Sequence, residues 1–289
     1  MSIGVVGFGA MGGGIAQACS TSGLAVTVVD IDEAALSRGR AEVQRFTAAG
    51  VERGKLTEEE RGAVLERIRS STRVEDLADV DLVIEAAPES LDAKRKVYAS
   101  VTEVVDEATV IATNTSAIGV TELAYHVHRP DRFIGLHFFN PAAIMPLVEV
   151  VRALQSSDDA VATGYRFAEQ IGKKPVTVDD RPGFLVNSLL MPYLNHAIRE
   201  LDNDLGRADE IDEAIRLGLG HPMGPYELLD LIGLDTHLHA TESAYEQTGD
   251  PYLAPPALLR RMVAADWLGS KSGRGLRSMD AEVEQNDDT

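Results

Sequence analysis

A short β-branched run, Ile3 to Val6, stops in Gly7, Gly9 and Gly12 and resumes at once as a helical pattern. No other stretch limits the fold so tightly. In the order G-x-G-x-x-G, the first glycine permits a tight turn out of a strand, the second lets a phosphate approach the backbone, and the third lets the helix lie close to the strand. The backbone around Ala10 and Met11 then opens a helix, whose N-terminal partial positive charge suits a pyrophosphate. A glycine-rich turn can also exist simply to turn the chain. Here, however, the next apolar run ends in Asp30, at the spacing where a carboxylate binds ribose hydroxyls and repels a 2′-phosphate. Strand, turn, helix and acid in that order predict a dinucleotide site, with NAD as the cofactor.

The first half of the chain alternates short β-branched runs with helical stretches. "IGVVGF", "AVTVVD", "DLVIEAA", "TVIATNTS" and "RFIGLHFF" read as strands of a mostly parallel sheet, and "PLVEVVRA" and "KKPVTVDD" complete it around a helix from Asp158 to Gly172. Between the second and third of these runs, Glu33 to about Ser70 has apolar residues at helical spacing, broken at "RGKLTEEE", where Thr57 and Glu60 form a capping-box pattern. This segment predicts a helical hairpin inserted in the sheet domain. After Pro182 only helical patterns remain, so residues 1–182 are expected to form a Rossmann-type α/β domain and 183–289 an all-α domain with an acidic tail, "DAEVEQNDDT".

A net charge of −19 argues against a general nucleic-acid partner, because a polyanion would be repelled over most of the surface. No apolar run approaches the roughly 20 residues that span a bilayer, and no membrane association is expected. Ile3 to Val6 leaves no room for a signal sequence, and the single cysteine, Cys19, suits a reducing compartment, so cytoplasmic residence is expected. Cys19 reads as a packed helix residue.

Strand C-termini in such sheets face the ligand crevice, and four candidates fall near them or just beyond: Ser116, His137, Glu149 and Asn187. Hydride transfer to or from an alcohol carbon needs a neighbouring group to take or give the hydroxyl proton, and histidine suits that near neutral pH. A carboxylate on the other ring nitrogen would fix its tautomer. Each residue also has a plainer reading: Ser116 and Asn187 as helix caps, His137 as a core histidine, Glu149 as a solvent-facing strand residue.

The motifs "GVVGFGAMGGGIA", "EAAPESLDAKRKVY", "TNTSAIGVTELA", "GLHFFNPAAIMPLVEVV", "DRPGFLVNSLLMPYLNHAIREL", "GLGHPMGPYELLDLIGLD" and "GSKSGRG" resemble, in order, the short-form L-3-hydroxyacyl-CoA dehydrogenase family of the 3-hydroxybutyryl-CoA dehydrogenase type. The resemblance implies an enzyme of fatty acid metabolism that interconverts (S)-3-hydroxyacyl-CoA and 3-ketoacyl-CoA with NAD. It further implies a Rossmann-type domain followed by a helical dimerisation domain, hence a homodimer. By residue match it implies His137 as general base, Glu149 as its orienting partner, and Ser116 and Asn187 as hydrogen-bonding groups for substrate. Asp30, Glu89, Lys94, Ser116, Asn140 and Lys271 match positions that contact NAD. The chain departs from the family pattern at Pro146, where relatives commonly carry lysine, and in "SGRGLRSM", which lacks an aromatic pair.

Coenzyme A is itself a polyanion. The stretch Leu36 to Lys55 carries Arg38, Arg40, Arg45, Arg53 and Lys55 against Glu42 and Glu52, a local reversal of the overall charge. With the resemblance, Arg38, Arg45 and Lys55 are candidates for the nucleotide end of CoA; without it they read equally well as surface ion pairs. The fold and fingerprint alone also suit a dehydrogenase of free hydroxy or sugar acids, or a dinucleotide-binding protein without turnover.

Overall fold

The computed structural model describes residues 1–278 and divides into two compact units, Met1–Phe184 and a second that begins at Leu185. The acidic tail expected at the C-terminus lies outside the described residues. In the first unit β1 (Ile3–Val6) leads through α1 (Ala10–Thr21) to β2 (Val26–Val29). Next come α2 (Glu33–Glu52), α3 (Glu58–Glu66) and β3 (Ile68–Ser71). Then follow β4 (Leu82–Glu85), α4 (Leu91–Val101), β5 (Val110–Thr113), the short α5 (Val120–Ala124), β6 (Phe133–Phe138), β7 (Leu147–Arg152), α6 (Asp158–Gln170) and β8 (Lys174–Asp179).

The strands form one sheet in the order β3-β2-β1-β4-β5-β6-β7-β8. All neighbours are parallel except β6 and β7, which are antiparallel. Alternation along each strand supplies two cores. Val5, Val28 and Ile84 go to one face with Ile15 and Cys19 of α1, while Val6, Val29 and Val83 go to the other with Tyr98, Leu123 and Phe133. Cys19 is fully buried, which pushes its thiol pKa up to about 12 and makes it packing and not a nucleophile.

The inserted segment is the expected helical hairpin, with the Thr57–Glu60 capping box formed at the start of α3. It also holds an eighth strand that the sequence pattern does not predict. "IRSS" is short, polar and at the sheet edge, so it carries little alternation to detect. Arg40 fastens α2 to this strand through Ser70 Oγ (2.9 Å) and the Ile68 carbonyl (3.4 Å).

The second unit comprises α7 (Val186–Asp202), α8 (Ala208–Leu219), α9 (Pro225–Ile232), α10 (Leu234–Thr248) and α11 (Ala257–Ala264). Its core gathers Leu194, Ile198, Tyr226, Leu229, Leu234, Leu259 and Leu276. At about 1.5–3 kcal/mol for each fully buried large apolar side chain, this cluster is a main source of the unit's stability. Asp212 of α8 caps α9 from outside, accepting from the Tyr226 nitrogen (2.8 Å) and the Glu227 nitrogen (2.9 Å). A smaller polar knot links α10 to α7: His237 Nε2 meets Asn195 Oδ1 at 3.0 Å, and Asn195 Nδ2 donates to Thr241 Oγ1 at 2.7 Å. Among the described residues no helix is long and apolar enough to cross a membrane, and no cluster of ligands suits a metal ion.

Candidate active site

The glycines of the first turn have three different reasons to lack side chains. Gly7 has φ of +98°, a left-handed conformation that favours glycine. A Cβ on Gly12 would lie 1.9 Å from the Gly7 carbonyl oxygen, so that glycine is what lets α1 approach β1. A Cβ on Gly9 would meet nothing within 4 Å. The fold itself therefore does not require glycine there; the open space beside it is what a closely approaching ligand would use. Gly9 is the N-cap of α1, with no side-chain cap and no acidic residue in the first turn, so no carboxylate opposes an anion at the backbone around Ala10 and Met11.

Asp30 follows β2 at the same sheet end. Its Oδ2 accepts from the Phe8 nitrogen at 2.6 Å and its Oδ1 from the Ile31 nitrogen at 2.7 Å, so the acid is fastened to the glycine turn. A carboxylate retains further lone pairs for ribose hydroxyls after accepting these bonds. Asp32 differs: its Oδ1 accepts from the Ala35 nitrogen at 2.7 Å as the N-cap of α2. These features fit a dinucleotide, with pyrophosphate over the Gly9 turn and ribose at Asp30.

His137 and Glu149 are direct partners in the antiparallel β6–β7 ladder, so their side chains stand on the same face. His137 Nδ1 lies 2.6 Å from Glu149 Oε2; the histidine is 5 % exposed and the glutamate 0 %. Glu149 is thus not the solvent-facing strand residue its plainer reading allowed. Because a carboxylate only accepts, Nδ1 carries the proton of the neutral ring and Nε2 is left as its basic nitrogen. Nε2 has no side-chain or backbone partner among the described residues. Phe139 and Phe184, with ring centroids 4.7 and 5.4 Å from the imidazole, limit its rotation.

Ser116 lies in the turn after β5, exposed, and caps no helix: α5 has Gly119 as its N-cap. The turn is held from two sides. On one, Glu89 Oε1 accepts from Thr115 Oγ1 (2.5 Å), the Ser116 nitrogen (3.0 Å) and the Ala117 nitrogen (3.0 Å). On the other, Asp180 accepts from the nitrogens of Val120 (3.0 Å) and Thr121 (2.7 Å). Burial works against the charge on Glu89, but Lys94 and these donors outweigh it and hold its carboxyl below the usual carboxylate range. Lys94 is 1 % exposed and sits between Glu85 Oε1 (2.8 Å) and Glu89 Oε2 (3.2 Å). It is not the solvated surface lysine that its type alone suggests. Glu85, Asp180 and Asn114, whose Oδ1 accepts from the Phe138 nitrogen beside His137 at 3.0 Å, were not singled out from sequence. An acid closing an otherwise apolar strand, as in "LVIE", was the available signal for Glu85.

Asn140 is exposed in the loop after β6. That loop ends at Pro146, and Lys173 supports it by donating to the carbonyls of Ala143 (3.3 Å) and Met145 (2.9 Å). Arg38, Arg45 and Lys55 are all exposed on the hairpin, and Arg45 is ion-paired with Glu42. In the helical unit Asn187 lies in the first turn of α7, whose N-cap is Leu185, and Lys271 Nζ contacts Asp235 Oδ1 (2.8 Å) and Thr236 Oγ1 (2.9 Å).

Comparison with known proteins identifies the family of the chain. Residues 2–181 match the 3-hydroxyacyl-CoA dehydrogenase NAD-binding domain, and residues 183–278 match the C-terminal domain of the same family. A 3-hydroxybutyryl-CoA dehydrogenase of Mycobacterium tuberculosis is 43 % identical over 275 residues, 94 % of this chain and 96 % of that one. A probable 3-hydroxybutyryl-CoA dehydrogenase of Deinococcus radiodurans is 42 % identical over 275 residues, 95 % and 99 % of the two chains. The crystal structure of (S)-3-hydroxybutyryl-CoA dehydrogenase from Ralstonia eutropha superposes with a TM-score of 0.92 at 46 % identity, covering 95 % of this chain and 97 % of that one. The glycine turn, its acid and the domains that follow therefore belong to a member of the 3-hydroxyacyl-CoA dehydrogenase family, NAD-dependent oxidoreductases of 3-hydroxyacyl thioesters.

Proposed function

We propose that the protein interconverts (S)-3-hydroxybutyryl-CoA and acetoacetyl-CoA, with His137 as the general acid and base. The observation that carries this reading is the 2.6 Å contact between His137 Nδ1 and the buried Glu149 carboxylate, which leaves Nε2 to face substrate. When bound, NAD supplies the hydride acceptor for oxidation and the donor for reduction. In the oxidative direction His137 Nε2 takes the proton of the 3-hydroxyl group as its carbon gives up hydride and becomes a ketone. Glu149 offsets the positive charge that the imidazole then carries, and fixes the ring's tautomer throughout. In reduction the imidazolium returns that proton to the carbonyl oxygen. Ser116 hydrogen-bonds the same substrate oxygen; Asn187 keeps a substrate contact on the motif match alone.

For the cofactor, the Gly9 turn, with the backbone of Ala10 and Met11, holds the pyrophosphate and Asp30 the adenosine ribose. Glu89, Ser116, Asn140 and Lys271 remain contacts on the motif match, and Lys94 acts from beneath by fixing Glu89. Arg38, Arg45 and Lys55 attract the nucleotide end of CoA. The first unit is then the NAD-binding domain. The second provides the dimer interface, a role supported by its exposed Leu189, Leu217 and Leu219, at 70, 76 and 62 % exposure. The same reading makes the protein a homodimer of fatty acid metabolism, and its single, buried cysteine supports a reducing, cytoplasmic setting.

NADH oxidation with acetoacetyl-CoA, compared with free acetoacetate, tests the reading. Turnover with the thioester and little or none with the free acid is expected. A faster reaction with the free acid, or NADH binding without turnover of either, would overturn it. Sedimentation should find a dimer at micromolar concentration, and an active monomer would remove the interface role.

A further inference from the structure

The Ser116 turn depends on buried groups that touch neither substrate nor cofactor in this scheme. Glu85 closes β4 at 0 % exposure and accepts four hydrogen bonds. Lys94 Nζ (2.8 Å) and the Ala87 nitrogen (2.8 Å) donate to its Oε1; Tyr98 OH (2.6 Å) and Thr113 Oγ1 (2.8 Å) donate to its Oε2. A carboxylate taken out of water needs such a complement of donors. The same ammonium also faces Glu89 Oε2 at 3.2 Å, while Glu89 Oε1 receives the three donors of the Ser116 turn.

One buried cation is thus shared by two carboxylates, and the nearer one is the more deeply buried. If Glu85 lost its charge, the attraction between Lys94 and Glu89 would no longer be opposed, and Lys94 would draw the Glu89 carboxylate away from the turn. Tyr98 and Thr113 prevent this by fixing Glu85 itself. We infer that Glu85 is a positioning residue for the reaction: through Lys94 it fixes Glu89, and through Glu89 it fixes the backbone at Ser116. The inference rests on the proposed contact of Ser116 with substrate.

Glu85→Gln is the direct test. Glutamine is nearly isosteric, its carbonyl can accept from Lys94 and Ala87, and its amide can donate to the hydroxyl oxygens of Tyr98 and Thr113, so the local fold can persist. kcat/KM for acetoacetyl-CoA at saturating NADH should fall roughly 10- to 100-fold, the scale of a small misplacement of a reacting group. Amide exchange across residues 115–118 should quicken. In a Ser116→Ala background the same change should cost less than about 3-fold, because coupled residues are non-additive.

If Ser116→Ala impairs the enzyme and Glu85→Gln then adds its full factor, the inference fails while the Ser116 contact stands. If Ser116→Ala alone has no effect, both fail. Should Glu85→Gln not fold, Tyr98→Phe removes one donor to Glu85 and keeps the ring against Phe133. A smaller loss that vanishes with Ser116→Ala supports the inference, and no loss or a fully additive loss overturns it.

Discussion

Asp30 Oδ2 accepts from the backbone nitrogen of Phe8 at 2.6 Å, which ties the end of β2 to the residue between the first two glycines. The carboxylate is thereby held at one place, and a 2′-phosphate on the ribose would meet a fixed negative charge. NADH should be favoured over NADPH by roughly 10- to 100-fold in kcat/KM, given a few kcal/mol of partly screened repulsion. Asp30→Asn, which keeps an acceptor for Phe8, should narrow the ratio. Equal efficiency with both cofactors would mean that Asp30 does not meet the ribose.

Gly9 and Gly12 should separate binding from folding. Gly12→Ala places a methyl group 1.9 Å from the Gly7 carbonyl oxygen, so α1 must move off β1; a stability loss of about 1–3 kcal/mol, or more, is expected in urea unfolding. Gly9→Ala meets no protein atom within 4 Å and should leave the unfolding midpoint nearly unchanged while sharply weakening NADH binding. Unchanged NADH affinity in Gly9→Ala would remove the pyrophosphate from this turn.

On the hairpin, reversal of Arg38 and Arg45 to Glu should raise KM for acetoacetyl-CoA with little change in kcat, since a contact remote from the reacting carbon acts equally in ground and transition states. The rise should shrink with added salt. A truncated acetoacetyl thioester lacking the nucleotide should be indifferent to the reversal. Equal damage to both substrates would show a misfolded hairpin, and no damage to either would return these arginines to the solvated surface.

His237, 4 % exposed in the helical unit, has its pKa pushed by burial down to about 4. Its unfolded value is near 6.5, so between those values the unfolded state binds more protons and stability rises with pH. As pH falls from about 6.5 to about 4, roughly 3 kcal/mol should be lost, with no further contribution from this group below pH 4. The pH dependence of urea unfolding should flatten across that window in His237→Gln. An unchanged slope would show that the histidine is not buried in its neutral form.

The turn chemistry and the strand-helix alternation were legible because each is local: three glycines, an acid at the right distance and a capping box all show in the sequence. The strand β3 was not, since "IRSS" at an edge is nearly featureless. Nor was Glu85, because its importance comes from Lys94, Tyr98 and Thr113, which only tertiary folding brings to it. Glu149 is an intermediate case. The spacing of His137 and Glu149 matched a family pattern, but their pairing depends on β7 running antiparallel to β6. The connection from Phe139 to Pro146 was itself a signal, being too short for the crossover that a parallel neighbour needs.

In the proposed reaction His137 moves the proton and Glu149 makes it able to do so. The direct measurement is single-turnover oxidation of NADH by acetoacetyl-CoA, at saturating substrate, for the parent protein, His137→Gln and Glu149→Gln. His137→Gln should slow the chemical step by roughly 10² to 10⁴-fold, the usual worth of general acid-base catalysis, with NADH binding intact. Glu149→Gln, which keeps a hydrogen-bonding group but no charge to offset the imidazolium, should also act on the chemical step. A rate for His137→Gln within about 3-fold of the parent, a loss well below that range, would mean that His137 does not carry the proton.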